Sequence, residues 1–343
     1  MTPGEPRLTE LALIRALRER ARQAPGVRVG IGDDCAVLEA PGGGLLLATT
    51  DLLIEDVHFR RRYAEPADIG WKALAVNVSD IASMGGRPRW ALIALACPAS
   101  TTMDEVEAFY EGIHALGDEH DVSVVGGDTS ASPAGWVVNI TLLGEATGAP
   151  ILRSGARAGD MIAVTGDLGR SAAGLAVLER REAPARVPAE ALAVVTAAHL
   201  RPRPRVKEGR WLAAAGGVTA MIDLSDGLAT DLRHVAEESR AAARVDLGRL
   251  PIGAATRDVA VATKHDAVGW ATGGGEDYEL LLTCEPSAFE RLRSGLGSAT
   301  GTTLTAIGAM EPGAGGVTFV DADGHAVAVG PGFEHFASGA RRE

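Results

Sequence analysis

VGIGDDCAVL, residues 29–38, sets two adjacent carboxylates, Asp33 and Asp34, just after a Gly-Ile-Gly turn in a chain whose formal net charge is already -12. The same grammar, an apolar segment that runs into a small or glycine-rich stop carrying an acid, returns as ATTD (48–51), VNVSD (76–80), VVGGD (124–128) and IDLSDG (222–227). One acid in such a place is ordinarily a turn former or a helix cap. Several of them gathered together would repel one another and destabilise the fold unless a cation offset the charge. Oxygen ligands without His or Cys select hard ions such as magnesium. Magnesium takes only one or two protein carboxylates and completes its shell with water and phosphate oxygens. Asp34, Asp51, Asp80, Asp128, Asp223 and Asp226 would therefore serve about three ions or more, and several magnesium ions imply a polyphosphate.

Between these stops the chain reads as mixed strands and helices. Leu11, Ile14 and Leu17 at helical spacing behind Thr9 predict a packing helix, and an apolar run from Leu45 predicts a strand delivering Thr49, Thr50 and Asp51 near its end. A helix follows from Pro66 to the Gly85-Gly86 stop, with Asn77 and Asp80 on one face. Thr102 and Glu105 form a capping box ahead of the stripe Val106, Phe109, Ile113 and Leu116. A further strand is expected to end at Asp128, and a late hairpin to turn at Asp323-Gly324. The elements lack a regular βαβ alternation, which favours an α+β fold over a doubly wound one. With 343 residues, 46% of them hydrophobic, the chain can build two cores. The turn-rich stretch at 147–159 divides it into an N-terminal domain, 1–148, and a C-terminal domain, 149–343.

An acidic balance, 45 acids against 33 bases, argues against a nucleic-acid partner, which needs a basic face. No apolar run of membrane-spanning length and no secretory signal pattern occurs, so a cytoplasmic location is expected. Cys35, Cys97 and Cys284 are scattered, without zinc spacing, and read as reduced, buried thiols. The known phosphate loops are missing, and none of Lys72, Lys207 and Lys264 sits in a glycine-rich turn. Glycine stops can still admit backbone N–H groups close to phosphate oxygens, and Ser225 near a helix start adds donors. The RPRPR run at 201–205 reads as a rigid, solvated connector rather than a phosphate clamp.

GIGDDCAV, TTD, His58-Phe59, KALAVNVSDIASMGG, VVGGDTS, LRSGARAGD, IDLSDGL and GGGEDYELL occur in the order, and over nearly the whole length, in which they resemble the thiamine-monophosphate kinase family. Its superfamily includes aminoimidazole ribonucleotide synthetase, selenophosphate synthetase and a hydrogenase-maturation protein. The resemblance implies a two-domain α+β fold, a homodimer formed through the N-terminal domains, and ATP and thiamine monophosphate as substrates. It implies magnesium ligands at Asp34, Thr49, Thr50, Asp51, Asp80, Asp128, Asp223 and Asp226, with Asp33 a less committed neighbour. It implies ATP contacts at Tyr110, Gly127, Asp128, Arg153 and Ser225, and acceptor contacts at His58 and Glu276. Where the family carries an aromatic against the thiamine ring this chain has Gly330, with Phe333 three residues on; either Phe333 or another aromatic substitutes, or the substrate contact there is weaker. The acceptor is a phosphate monoester that is largely ionised at neutral pH, so no catalytic base is expected. A selenophosphate synthetase would need a reactive Cys in a glycine-rich N-terminal segment, and none precedes Cys35.

Overall fold

In the computed structural model, which describes residues 9–180, 182–184, 186–330 and 332–333, the chain is organised around two sheets, each carrying its own helices. The first half contains α1 (Glu10–Arg20), β1 (Val27–Val29), β2 (Ala36–Glu39), β3 (Leu45–Ile54), α2 (Pro66–Ser83), β4 (Arg87–Cys97), α3 (Met103–His120), β5 (Ser123–Ala131) and β6 (Val137–Ala146). The second contains β7 (Met161–Thr165), α4 (Arg170–Leu178), α5 (Ala189–Leu200), α6 (Val206–Ala215), β8 (Val218–Asp223), α7 (Leu228–Ser239) and β9 (Ala242–Asp246). It continues through α8 (Ala254–Thr263), α9 (Ala267–Gly273), β10 (Leu280–Cys284), α10 (Pro286–Thr300), β11 (Leu304–Glu311), β12 (Val317–Val320) and β13 (Ala326–Val327). The α+β class expected from the sequence is the one found.

The first sheet runs β1-β2-β3-β6-β4-β5 and is antiparallel except between β4 and β5. Alternation sets its two faces. Leu47, Leu53, Ile93, Leu95, Val138, Ile140 and Leu142 point inward and are buried with residues of α2 and α3. Leu52 and Leu92 point the other way and are 48% and 42% exposed, and Val125, at an irregularity in β5, is 56% exposed. The second sheet runs β13-β12-β9-β11-β7-β10-β8, with β12 and β9 parallel. Among the described residues no helix is long and apolar enough to cross a membrane.

Four expectations change. β3 continues to Ile54 and β5 to Ala131, so Asp51 and Asp128 lie inside strands. In β3 the apolar residues after Asp51 keep the alternation going. In β5 a Cβ on Gly127 (φ 155°) would lie 1.7 Å from the Ile93 carbonyl oxygen, so glycine there permits a close strand pairing. α1 is capped by Thr9 as expected, but Ile14 and Leu17 stay exposed, and the helix is tied to α7 by Arg15–Glu237 (2.8 Å) and Arg18–Glu238 (2.5 Å). The RPRPR run connects α5 to α6 with Arg201 and Arg203 exposed, as a solvated connector would, but it is also a clip. Arg201 pairs with Asp68 (2.5 Å), Arg203 with Glu119 (3.2 Å) and Arg205 with Glu279 (2.5 Å), while the Trp71 indole donates to the Pro202 carbonyl at 2.8 Å. Cys35 and Cys284 are buried free thiols, whereas Cys97 is only half-buried.

Candidate active site

α2 organises the acids. Serines along it reach acids from other elements: the Ser79 hydroxyl donates to Asp223 of β8 at 2.5 Å, and the Ser83 hydroxyl donates to Asp34 at 2.6 Å. Asp80 on the same helix accepts from the Thr49 hydroxyl of β3 at 2.5 Å. Carboxylate oxygens of Asp34, Asp80 and Asp223 come within 4.8 Å of one another, a spacing a cation can bridge. Asp51 follows Thr49 by two residues on the same strand face and hydrogen-bonds Asp80. Asn77, one turn before Asp80, keeps its buried Oδ1 without a hydrogen-bond partner among the described residues. Such a leftover acceptor asks for an ion or a water.

The cost of this gathering shows in the protonation equilibria. Burial first, and the neighbouring acids second, push Asp223 up to about 8 and Asp80 well above the carboxylate range. Asp51 rises to about 6, mainly by burial, and Asp226 to about 7, by burial and then by Glu10. Arg153 gives partial compensation: its Nε donates to Asp34 at 2.8 Å, and its terminal nitrogen pairs with the same oxygen. Asp33 accepts the Arg153 backbone N–H (3.2 Å) and the Asp34 N–H (3.1 Å), so it fastens the interdomain segment. One arginine cannot neutralise Asp34, Asp51, Asp80, Asp223 and Asp226 together. An oxygen-only donor set with surplus negative charge fits magnesium.

A cleft of about 330 Å³ opens beside the acids between the two halves of the chain. Asp51, Ser225 and Asp226 line one part of it, and His58, Glu276 and Phe333 line another. His58 accepts the Ile54 N–H at Nδ1 (3.0 Å), and its ring centre is 6.5 Å from that of Phe333. The Phe333 N–H in turn donates to the Asp226 carbonyl at 3.1 Å. The Glu276 N–H donates to the Ser225 carbonyl at 2.7 Å, which links the GGGEDYE turn to IDLSDG. Both cations of the cleft wall are engaged: Lys72 pairs with Glu276 (2.8 Å) and Arg60 with Glu179 (2.5 Å).

Other expected residues are not gathered within one chain. The register places Asp51, Ile140, Ile93 and Gly127 in one row across the sheet, so Gly127 lies three strand spacings, about 14 Å, from Asp51. Asp128 next to it is exposed and accepts the Thr129 N–H at 2.9 Å. Thr50 turns to the uncovered sheet face, where Asn139 donates to its hydroxyl at 2.9 Å. Tyr110 packs edge-on against Phe109, with ring centres 5.4 Å apart. Sequence reading missed Lys72, Glu10 and His199 in the cleft wall. A lysine between Trp71 and Ala73 in an apolar helix was a usable signal, whereas nothing local marks His199.

The sequence matches the family of AIR synthase related protein, N-terminal domain, over residues 32–146, and that of the C-terminal domain over residues 157–321. It is 39% identical over 334 residues to the thiamine-monophosphate kinase of Escherichia coli (strain K12), covering 96% of this chain and 98% of that one. The solved complex of AaThiL with AMPPCP and TMP aligns at a TM-score of 0.83 and 34% identity, over 96% of this chain and 97% of its own. The crystal structure of thiamine-monophosphate kinase from Stenotrophomonas maltophilia K279a aligns at 0.74 and 37%, over 93% and 98%.

Proposed function

The chain belongs to the thiamine-monophosphate kinase family of AIR synthase related proteins, and from that premise we propose that it transfers the γ-phosphoryl group of ATP directly to the phosphate of thiamine monophosphate, yielding thiamine diphosphate and ADP. The observation that carries this reading is one cleft in which Asp51 and Asp226 face His58, Glu276 and Phe333, with Asp51 hydrogen-bonded to Asp80 of the buried Asp34–Asp80–Asp223 group beside it. The acceptor oxygen is already anionic near neutral pH, its second pKa being about 6, so the protein has no proton to remove. What remains is to hold two phosphates in line. Magnesium, when bound, supplies the positive charge that lets two polyanions approach.

In this proposal Asp34, Thr49, Asp51, Asp80, Asp223 and Asp226 hold the ions. Arg153 and Ser225 contact the nucleotide phosphates, Arg153 while balancing Asp34. Lys72 and Arg60 are committed to Glu276 and Glu179, which leaves the phosphates to the metal sites. His58, Glu276 and Phe333 receive the thiamine moiety, with Phe333 standing where Gly330 offers no ring.

Residues 1–148 are assigned to nucleotide and metal binding and to dimerisation, and residues 149–343 to completing the site. The uncovered sheet face bearing Leu52, Leu92 and Val125 supports a homodimer formed there. Asp128 and Gly127, with Tyr110 and Thr50, then act at the site of the second subunit, since within one chain they stand apart from the other acids. ATP as donor suits a cytoplasmic enzyme.

The test is direct. The protein is incubated with MgATP and thiamine monophosphate, and thiamine diphosphate is read by fluorescence after oxidation. Product should form one-for-one with ADP, vanish in EDTA and return with magnesium. ATP consumption without thiamine diphosphate, or turnover indifferent to magnesium, would overturn the proposal.

A further inference from the structure

Lys72 is 3% exposed, on a helix of the first half of the chain, and lysine is rarely buried so deeply without a reason. Its ammonium lies 2.8 Å from Oε1 of Glu276 and donates to the His58 carbonyl at 3.3 Å. The other oxygen of the same carboxylate, Oε2, lies 3.2 Å from Nδ1 of His199 on α5, and that nitrogen is also 3.0 Å from the Ser171 hydroxyl on α4. Glu276 is thus gripped from both halves of the molecule. Its backbone sits at φ 57°, where a residue with a Cβ is uncommon and costs energy, so this side chain is kept at its place against local preference. Lys72, Ser171, His199 and Glu276 all line the cleft.

A carboxylate offers about four lone-pair sites. Lys72 and His199 occupy one on each oxygen, which leaves the rest to the cleft. We propose that Lys72 and His199 are positioning residues for acceptor recognition: they fix the Glu276 carboxylate in the cleft wall, where it receives the cationic ring system of the acceptor. This deepens the thiamine-monophosphate reading and rests on it. Charge-assisted bonds of this kind are the strong ones, and removing a buried partner leaves the other group both misplaced and poorly solvated.

A double-mutant cycle on the full-length protein tests this, with K72Q, E276Q and the pair compared for kcat and for the KM of each substrate. K72Q should raise the KM for thiamine monophosphate about 10- to 100-fold and leave the KM for ATP within about twofold. Because Lys72 acts through Glu276, K72Q/E276Q should be no worse than E276Q alone. H199Q should shift the same KM in the same direction. A lysine with only a structural role would raise both KM values and add its effect to that of E276Q, and that result overturns the proposal. Should K72Q not fold, an H199Q protein with an unchanged KM for thiamine monophosphate overturns it alone. Wild-type protein that makes no thiamine diphosphate would remove the functional reading itself. Wild-type turnover beside unchanged KM values in both variants would remove only this inference.

Discussion

Asp223 shows how a single residue carries the metal argument. It is 2% exposed, and burial followed by the charge of Asp34 pushes it up to about 8, whereas an unfolded aspartate titrates near 3.9. Between those values the folded chain holds more protons than the unfolded chain, so this group stabilises the fold at low pH and loses that contribution as pH rises through the window. Thermal unfolding in EDTA should therefore show Tm falling from about pH 5 to about pH 8. Magnesium should flatten the fall by stabilising the ionised acids in the native state. D223N removes one of the crowded charges, and in EDTA near pH 8 it should raise Tm by about 2–4 °C while weakening the magnesium response. An undiminished magnesium response would detach this trio from the metal. The acids were legible because their apolar-then-glycine setting is local. His199 was not, and Lys72 showed only as a lysine in an apolar helix, because what gives each its role is a partner far along the chain.

Among the elements, α2 does the most to position the site. From one helix it supplies Asp80, holds Asp34 and Asp223 through Ser83 and Ser79, and sends Lys72 to Glu276 and Trp71 to the RPRPR clip. Its crossing with α3 is close. A Cβ on Gly70 would lie 1.9 Å from the Phe109 carbonyl oxygen, and one on Gly112 would lie 1.9 Å from that of Ala67. G112A should push the helices apart at a cost of about 1–3 kcal/mol or more, read as a lower urea midpoint. Because the displaced helix carries Asp80 and Lys72, the KM for thiamine monophosphate should rise as well. A variant with the wild-type midpoint would mean that the crossing has slack. Capping signals announced this helix and its neighbour in the sequence, and the Thr102–Glu105 box is present as read. Exposure of α1 was not announced, because an apolar spacing says that a helix has a face and not what will cover it.

For the whole molecule, the decisive feature is a sheet with one covered and one open face. If a second copy docks there, L92D should convert the protein to monomers in sedimentation and depress turnover. Dimers of the wild-type mass in L92D would exclude this face. Complementation makes a sharper test of where Asp128 acts. D128N and D223N, each inactive alone, should regain about a quarter of wild-type activity when unfolded together and refolded as random dimers, because half of the dimers are then mixed and each mixed dimer carries one intact site. Recovery of nothing would place Asp128 outside any shared site.

Local pattern was enough to read the class of the fold and to mark the acids as candidate ligands of a hard cation, because strand and helix periods, caps and glycine stops act over a few residues. Tertiary structure alone decided which acids meet. Asp34, Asp80 and Asp223 approach one another because α2 is wedged between the two sheets, and Asp128 stays apart because the strand order sends β5 to the far edge. It also decided the partners of Lys72, Arg201 and Arg203, whose charges find opposites only after the two halves of the chain have packed. Distance through space between residues remote in sequence depends on topology and packing, and no local pattern encodes it.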